Sequence, residues 1–503
     1  MELLQHLAFG FEVALSPGNL LYCFVGVLLG TVVGVLPGLG PVATIAMLLP
    51  LTFSMEPATG VIMLAGIYYG AQYGGSTTAI LLNLPGESSS VVTALDGNRM
   101  ARQGRGGAAL TIAALGSFFA GCVSTALIAL FAPALSDFAL EFGPADYFAL
   151  VLFGLIASVV LAQGPVIKAV AMIVVGMLVG VVGTDISTNV PRYTFGFGEL
   201  TDGIGFVAVS MGLYGIADIF VNLRHSTAAP VDAATVGPLR LTREEWRASA
   251  APVLRGTALG SFLGILPGGG AMLASFCAYT LEKKLAADPT RFGQGAIEGV
   301  AAPEAANNAG AQTSFVPLLT LGLPSNALMA MVIGALLVQG ITPGPQLLAE
   351  QPAIFWGVIA SMWIGNAMLV VLNLPMVGLW VRVLTVPYRL LFPCVVLVCA
   401  LGAYSVNNDV FSIYMVVLFG ALGYLFYLFR CEPAPLLMGL ILGPLCEEYL
   451  RRSLEMSGGD LMDIPRHPIA LGFLIAAGLL LLSMVVPAWG QVRSQAFAEE
   501  GAN

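Results

Sequence analysis

Apolar runs of about 20 residues, nearly free of charge, recur along most of the chain, and each is long enough for an α-helix to cross hydrocarbon. With 57% of its 503 residues hydrophobic and only 10% charged, the chain has more apolar surface than a soluble fold can hide. It therefore reads as an all-α polytopic membrane protein. No basic tract suggests nucleic acid. The seven cysteines lie in or beside apolar segments without metal-ligand spacing and read as small hydrophobic filler. His6, His225 and His467 fall in polar segments, so no histidine is placed as a base or ligand at membrane depth. Met1 to Pro17 has no Lys or Arg before its apolar stretch and is not expected to be a cleavable signal peptide. No cofactor is expected.

The breaks in the apolar pattern come in matched pairs. Gly26 to Gly40 aligns with Gly256 to Gly270 at a constant offset of 230, with eight of fifteen positions identical. Both end on a Leu-Pro-Gly turn, Leu36-Pro37-Gly38 and Leu266-Pro267-Gly268. A constant offset marks an internal repeat. Glycines at i, i+4 and i+8 also share a helix face, where another backbone can approach closely. A second pair follows at an offset of 239: Asn83-Leu84-Pro85-Gly86-Glu87-Ser88-Ser89-Ser90 and Gly322-Leu323-Pro324-Ser325-Asn326. The second half carries an insertion, Glu282 to Gln294, between its two motifs.

Charge orients the halves. No Lys or Arg precedes Arg99, which sends the start of the chain and Leu51 to Pro57 to the periplasm; Arg99, Arg102 and Arg105 mark a cytoplasmic loop. In the second half Arg240, Arg243, Arg247 and Arg255 precede the Pro-Gly motif, Lys283, Lys284 and Arg291 follow it, and Ile341 to Pro352 has no positive charge. Segments 20–50 and 256–281 then read as re-entrant hairpins entering from opposite sides. Expected spans follow at 58–86, 108–135, 145–163, 165–184 and 204–222, then at 310–341, 353–380, 388–404, 410–429 and 433–450, with an extra one near 468–489. Five crossings between the hairpins also make the repeats inverted. The expected units are 1–222, a cytoplasmic linker 223–250, 251–450, and 451–503. Arg451, Arg452 and Arg466 fit poorly in a periplasmic loop, although Glu447, Glu448 and Glu455 accompany them.

Irregular backbone at membrane depth survives only inside protein or along a wet cavity. In carriers with inverted repeats such breaks bind anionic substrate groups and coupling cations. The candidate substrate residues are therefore Pro37, Gly38, Leu39, Gly40, Ser76, Thr77, Asn83, Gly86, Ser88, Pro267, Gly268, Gly269, Gly270, Thr313, Ser314, Ser325 and Asn326. Asn83, Asn307, Asn308 and Gly322 are candidate Na⁺ ligands through their oxygens. Glu304 reads either as a titratable gate or cation ligand, or as a solvated helix start near the cytoplasmic entrance. Lys168 reads as snorkelling to the cytoplasmic interface. Asp137, Glu141, Asp146, Asp185 and Asp409 fall at span ends, and no row of buried carboxylates is visible, which favours Na⁺ over H⁺ as coupling ion.

The blocks Gly34 to Gly40, Tyr69 to Thr78, Asn83 to Gly86, Gly264 to Gly270, Pro303 to Ala309 and Gly322 to Pro324 resemble the large membrane subunit of the tripartite tricarboxylate transporter (TctA) family, over almost the whole chain. The resemblance implies a secondary carrier of citrate-like or related carboxylates in a bacterial inner membrane, working with a small membrane subunit and a periplasmic solute-binding protein. The related binding-protein-dependent dicarboxylate carriers would look similar. From other classes, an intramembrane hydrolase lacks its Ser–His pair, paired Asp or zinc cluster. A passive channel fits duplicated broken hairpins less well than alternating access does.

Overall fold

A computed structural model of the protein describes residues 2–36, 40–83, 86–162, 165–185, 188–224, 236–266, 270–383 and 388–485. The first half runs α1 (Glu2–Ala14), α2 (Pro17–Val35), α3 (Pro41–Thr52), α4 (Pro57–Leu82), α5 (Val91–Met100), α6 (Gly106–Ala139), α7 (Pro144–Leu161), α8 (Val166–Gly180), α9 (Phe206–Ser210) and α10 (Ala217–Arg224). The second runs α11 (Arg243–Leu263), α12 (Gly270–Leu285), α13 (Glu298–Thr313), α14 (Phe315–Leu321), α15 (Ala327–Val338), α16 (Leu347–Glu350) and α17 (Pro352–Asn373). It continues through α18 (Val377–Val383), α19 (Tyr388–Asn407), α20 (Val410–Leu428) and α21 (Ala434–Met456), and α22 (Pro468–Val485) follows. The strand pair Gly183–Thr184 and Pro191–Arg192 is the one β element among the described residues. The protein is thus an all-α polytopic membrane protein. Pro17, Pro41, Pro57, Pro144 and Pro352 open their helices, where a missing N–H costs nothing.

The repeated glycines explain how the halves pack. A Cβ at Gly26, Gly30 or Gly34 of α2 would stand 2.3 Å from the carbonyl oxygens of Met63, Ile67 and Ala71 on α4. Gly70 and Gly74 answer from α4, 2.6 Å from Val27 O and 2.4 Å from Thr31 O by the same measure. In the second half, Gly256 and Gly260 of α11 meet Ala302 O and Ala306 O of α13 at 2.3 Å, and Gly264 meets Gly310 O at 2.5 Å. Successive glycines meet carbonyls at a constant spacing, so α2 runs parallel to α4 and α11 to α13. The chain must return between them through the short arms α3 and α12. Each half therefore opens as a hairpin laid along the helix that follows it. Thr59 donates to Asn19 Oδ1, holding the starts of α2 and α4 together.

Contacts between chain-distant loops fix the ends. Gln339 Nε2, just past α15, donates to Thr52 O at the end of α3 at 2.7 Å. His6 stacks on Trp356, centroids 5.1 Å apart. Asp146 Oδ1 accepts from Ala470 N at 2.8 Å, and Asp185 pairs with Arg451 at 3.1 Å. A second set joins Arg105 to Glu245 at 2.7 Å, Gln103 Nε2 to Gln294 O at 2.9 Å, and Lys168 Nζ to Phe429 O at 2.6 Å. Within it, Asp96 Oδ1 accepts from the backbone N–H of Gly293, Gly295 and Ala296.

Several sequence expectations need correcting. The 310–341 span starts earlier, at Glu298, and is interrupted after Leu321 rather than continuous, because Gly322 adopts φ 71° and ends the helix. The 58–86 span stops at Leu82, where Asn83 takes φ 59°. The Arg99 to Arg105 loop is helical, with α5 and α6 meeting at a kink where Gly104 has φ 78°. Asp146 and Asp185 are buried in hydrogen bonds and ion pairs rather than left to water. The same network, with Arg192 and Arg451 both bound to Glu447, gives Arg451 anionic partners, while Arg452 pairs with Glu448 and Arg466 with Asp460.

The glycine contacts predict a sharp positional contrast. Gly30→Ala must force α2 off α4 and should destabilise the protein by about 1–3 kcal/mol, the usual cost of overpacking. Gly18→Ala, with nothing within 4 Å of the new methyl, should leave the thermal melt of the detergent-solubilised protein unchanged.

Candidate functional site

Both helices that follow the hairpins are broken at corresponding motifs. Asn83 caps α4 and Gly322 caps α14, each left-handed and each followed by Leu-Pro. The breaks dock on the inner ends of the hairpins. A Cβ at Gly86 would lie 2.1 Å from Gly34 O, so no side chain fits there. Thr78 Oγ1 donates to Val35 O at 3.1 Å. In the second half a Cβ at Gly270 would meet Asn326 Nδ2 at 3.6 Å, and Ser325 Oγ donates to Ser314 O at 3.1 Å. Asn326 caps α15 by accepting from Met329 N at 3.0 Å, and its Nδ2 donates to Tyr68 OH on α4 at 3.5 Å.

Two carboxylates sit among these elements. Glu304 of α13 is fully buried; Ser76 Oγ donates to its Oε2 at 2.7 Å and Thr93 Oγ1 to its Oε1. Glu87, half-buried in the first break, accepts from Ser89 Oγ and from Asn307 Nδ2 at 3.3 Å. Gly75 makes room for it: a Cβ there would be 2.9 Å from Glu87 Cγ. Ser89 Oγ also lies 3.0 Å from Gln72 Oε1, and Asn308 Nδ2 donates to Ser117 Oγ at 2.6 Å. Glu87 and Glu304 are a pair rather than the row of buried carboxylates that a proton wire would need. The reading of Glu304 as a solvated helix start is overturned, since α4, α5 and α6 cover that face of α13. Asn307 Oδ1, Asn308 Oδ1 and both amide atoms of Gln312 are buried with no hydrogen-bond partner among the described residues. Each such orphan costs about 1–3 kcal/mol, the kind of debt a ligand or a conformational change relieves.

Of the candidate residues, Ser76 joins Glu304, and Asn307 and Asn308 join Glu87 and Ser117. Ser314, Ser325, Asn326 and Gly270 gather at the second break. Thr77 and Thr313 are buried but donate to the carbonyls of Tyr73 and Ala309 in their own helices. Asn83 and Ser88 are exposed, and Gly322 packs on Pro343. Gly40 leads α3, and a Cβ there would meet nothing within 4 Å. Pro37, Gly38, Leu39, Pro267, Gly268 and Gly269 lie outside the described residues. Glu87, Gln72, Thr93 and Ser117 were not singled out by the sequence. Glu87 carries a usable signal, as an acid inside an otherwise uncharged Leu-Pro-Gly-Glu-Ser stretch; Ser117, one hydroxyl in a long apolar helix, carries none.

The Glu304 hydrogen bonds yield a test. Thr93→Val keeps shape but removes a donor to a buried carboxylate, and should cost about 1.5–3 kcal/mol if that group is ionised. Thr77→Val, which loses only an intrahelical bond, should cost less than about 1 kcal/mol in the same detergent melts.

Comparisons with known proteins identify the family. The profile of the tripartite tricarboxylate transporter TctA family matches residues 20–438. An Agrobacterium vitis protein, described as an uncharacterized 52.8 kDa protein in the TAR-I ttuC' 3' region, is 57% identical over 500 residues, covering 99% of this chain and 100% of its own length. Another from the same organism, described as an uncharacterized protein in the TAR-II ttuC' 3' region, is 54% identical over 241 residues, 48% of this chain and 100% of its own length. No solved structure matches. The family match runs from the first hairpin into α21, and the chain belongs to the TctA family of tripartite tricarboxylate transporters.

Proposed function

We propose that this chain is the large subunit of a secondary carrier that takes up a small tricarboxylate or dicarboxylate across a bacterial inner membrane. Uptake is coupled to a cation, Na⁺ in preference to H⁺. A periplasmic solute-binding protein delivers the substrate, and a small membrane subunit completes the complex. The observation that carries the reading is the meeting of two broken helices and two hairpin ends around a buried polar centre. Broken backbone supplies free N–H groups for a carboxylate, and hydroxyls and amides supply the rest. Electrostatics supports coupling to a cation. A polyanion held near Glu87 and Glu304 would be repelled unless a positive charge arrived with it.

Inverted repeats are part of this proposal. The end of α3 touches the exit of α15, while the end of α5 touches the loop before α13. Under parallel repeats both hairpin exits would share a face. The loop contacts described above also join segments that the span count assigns to one side, and the charge pattern agrees except at the Asp185–Arg451 contact. The hairpin-bearing unit then moves against the remaining helices to expose the site alternately.

Proteoliposomes containing both membrane subunits, supplied with the binding protein and a labelled carboxylate, should accumulate substrate when an inward Na⁺ gradient is imposed. Accumulation that ignores Na⁺ and follows a pH gradient would overturn the sodium coupling. Equilibration without accumulation under either gradient would replace the carrier with a channel.

A further inference from the structure

Glu304 has no basic partner among the described residues; its polar neighbours are the hydroxyls of Ser76, Thr93 and Ser117. The other titratable groups facing it are Tyr73 and Glu87, neither of them cationic. A fully buried carboxylate without a counter-charge costs several kcal/mol. Beside it lies a small cavity lined by Tyr73, Ser76, Thr77, Ser117, Glu304 and Asn373. It has room for about one water-sized guest.

A second observation is independent of the carboxylate. Asn373, at the end of α17, is only 4% exposed. Its Nδ2 donates to Leu369 O at 2.9 Å, yet its Oδ1 is buried with no partner among the described residues. Ser117 Oγ, already accepting from Asn308 Nδ2, keeps a free lone pair. The polar side-chain atoms of the lining residues are oxygens except Asn373 Nδ2, which Leu369 O engages, and Leu110, Ala113, Ala114 and Leu374 complete the wall. Oxygen donors suit hard cations. One carboxylate matches one positive charge, and no cluster of three His, Cys, Asp or Glu exists among the described residues to hold a multivalent metal.

We propose that the Glu304 cavity is a sodium site, walled by α4, α6, α13 and α17, with Glu304 supplying the charge and Asn373, Ser76 and Ser117 supplying neutral oxygens. Its role as coupling site rests on the transport reading above; its existence as a binding site does not. A proton on Glu304 would cancel the charge but provide a single donor, whereas a cation engages several of these oxygens at once. The site also spans both halves, Ser76 and Ser117 from the first, Glu304 and Asn373 from the second. Occupancy therefore favours the arrangement in which they meet.

Binding of radiolabelled Na⁺ to the purified full-length protein in detergent, without carboxylate or partner subunits, tests the site. Wild type should bind Na⁺ saturably and Glu304→Gln should weaken it more than about 100-fold. Asn373→Leu should weaken it roughly tenfold, and Thr280→Ala, on an exposed part of α12, should change nothing. If Glu304→Gln does not fold, Asn373→Leu and Ser117→Ala carry the same test. Wild type that binds no Na⁺, or well-folded variants that bind it like wild type, would overturn the site. Intact Na⁺ binding without any carboxylate uptake would sink the transport reading and leave the site standing. Na⁺-driven uptake undiminished in Glu304→Gln would sink the site alone.

Discussion

The closeness of two pairs of backbones governs the rest of this protein. Glycines at every fourth position of α2 and α11 let each lie with its backbone against the carbonyls of α4 and α13. In hydrocarbon there is little hydrophobic drive between helices, so such close approach is a main source of association. Because the packing is parallel, the inner end of each hairpin arrives beside the second half of its partner helix, where the helix breaks. The polar centre is a consequence of that geometry, and the long apolar helices around it seal the irregular backbone from lipid.

The two halves use one plan but are not chemically equivalent. The first break carries Glu87 and a run of serines, and the second carries Ser325 and Asn326. Glu304 on α13 has Ala65 at the matching position of α4 under the offset of 239 that aligns the breaks. Each half thus contributes one carboxylate, both set among neutral donors, while the second break itself offers neutral groups only. A site for an anion and a site for its cation can then lie close together without being the same site.

Much of this was legible in the sequence. The apolar runs gave the class, and the offset of 230 located both hairpins, because packing that depends on missing side chains leaves a glycine signature. The burial of Glu304 was not legible. Its helix, Glu298–Thr313, is rich in Ala and Asn and lacks the apolar run of a membrane span, so the sequence places the start of that span at 310, about twelve residues late. Its partners Ser76 and Thr93 stand 228 and 211 residues away along the chain, and nothing local to any of the three announces the meeting. Ser117 and Asn373 are each one of several scattered polar residues in apolar helices, indistinguishable from helix–helix glue until the cavity brings them together.

In the proposed arrangement the halves enter the membrane from opposite sides and meet at the polar centre. Single cysteines at Ser54 and Gly340, beside the Thr52–Gln339 contact, and at Gln103 and Gln294, on the other set of loops, can be placed in a cysteine-free background. A membrane-impermeant thiol reagent added to intact cells with permeable outer membranes should label the first two and reach the last two only after the inner membrane is opened. Labelling of Ser54→Cys and Gln294→Cys, the two hairpin exits, from the same side would contradict the inverted arrangement.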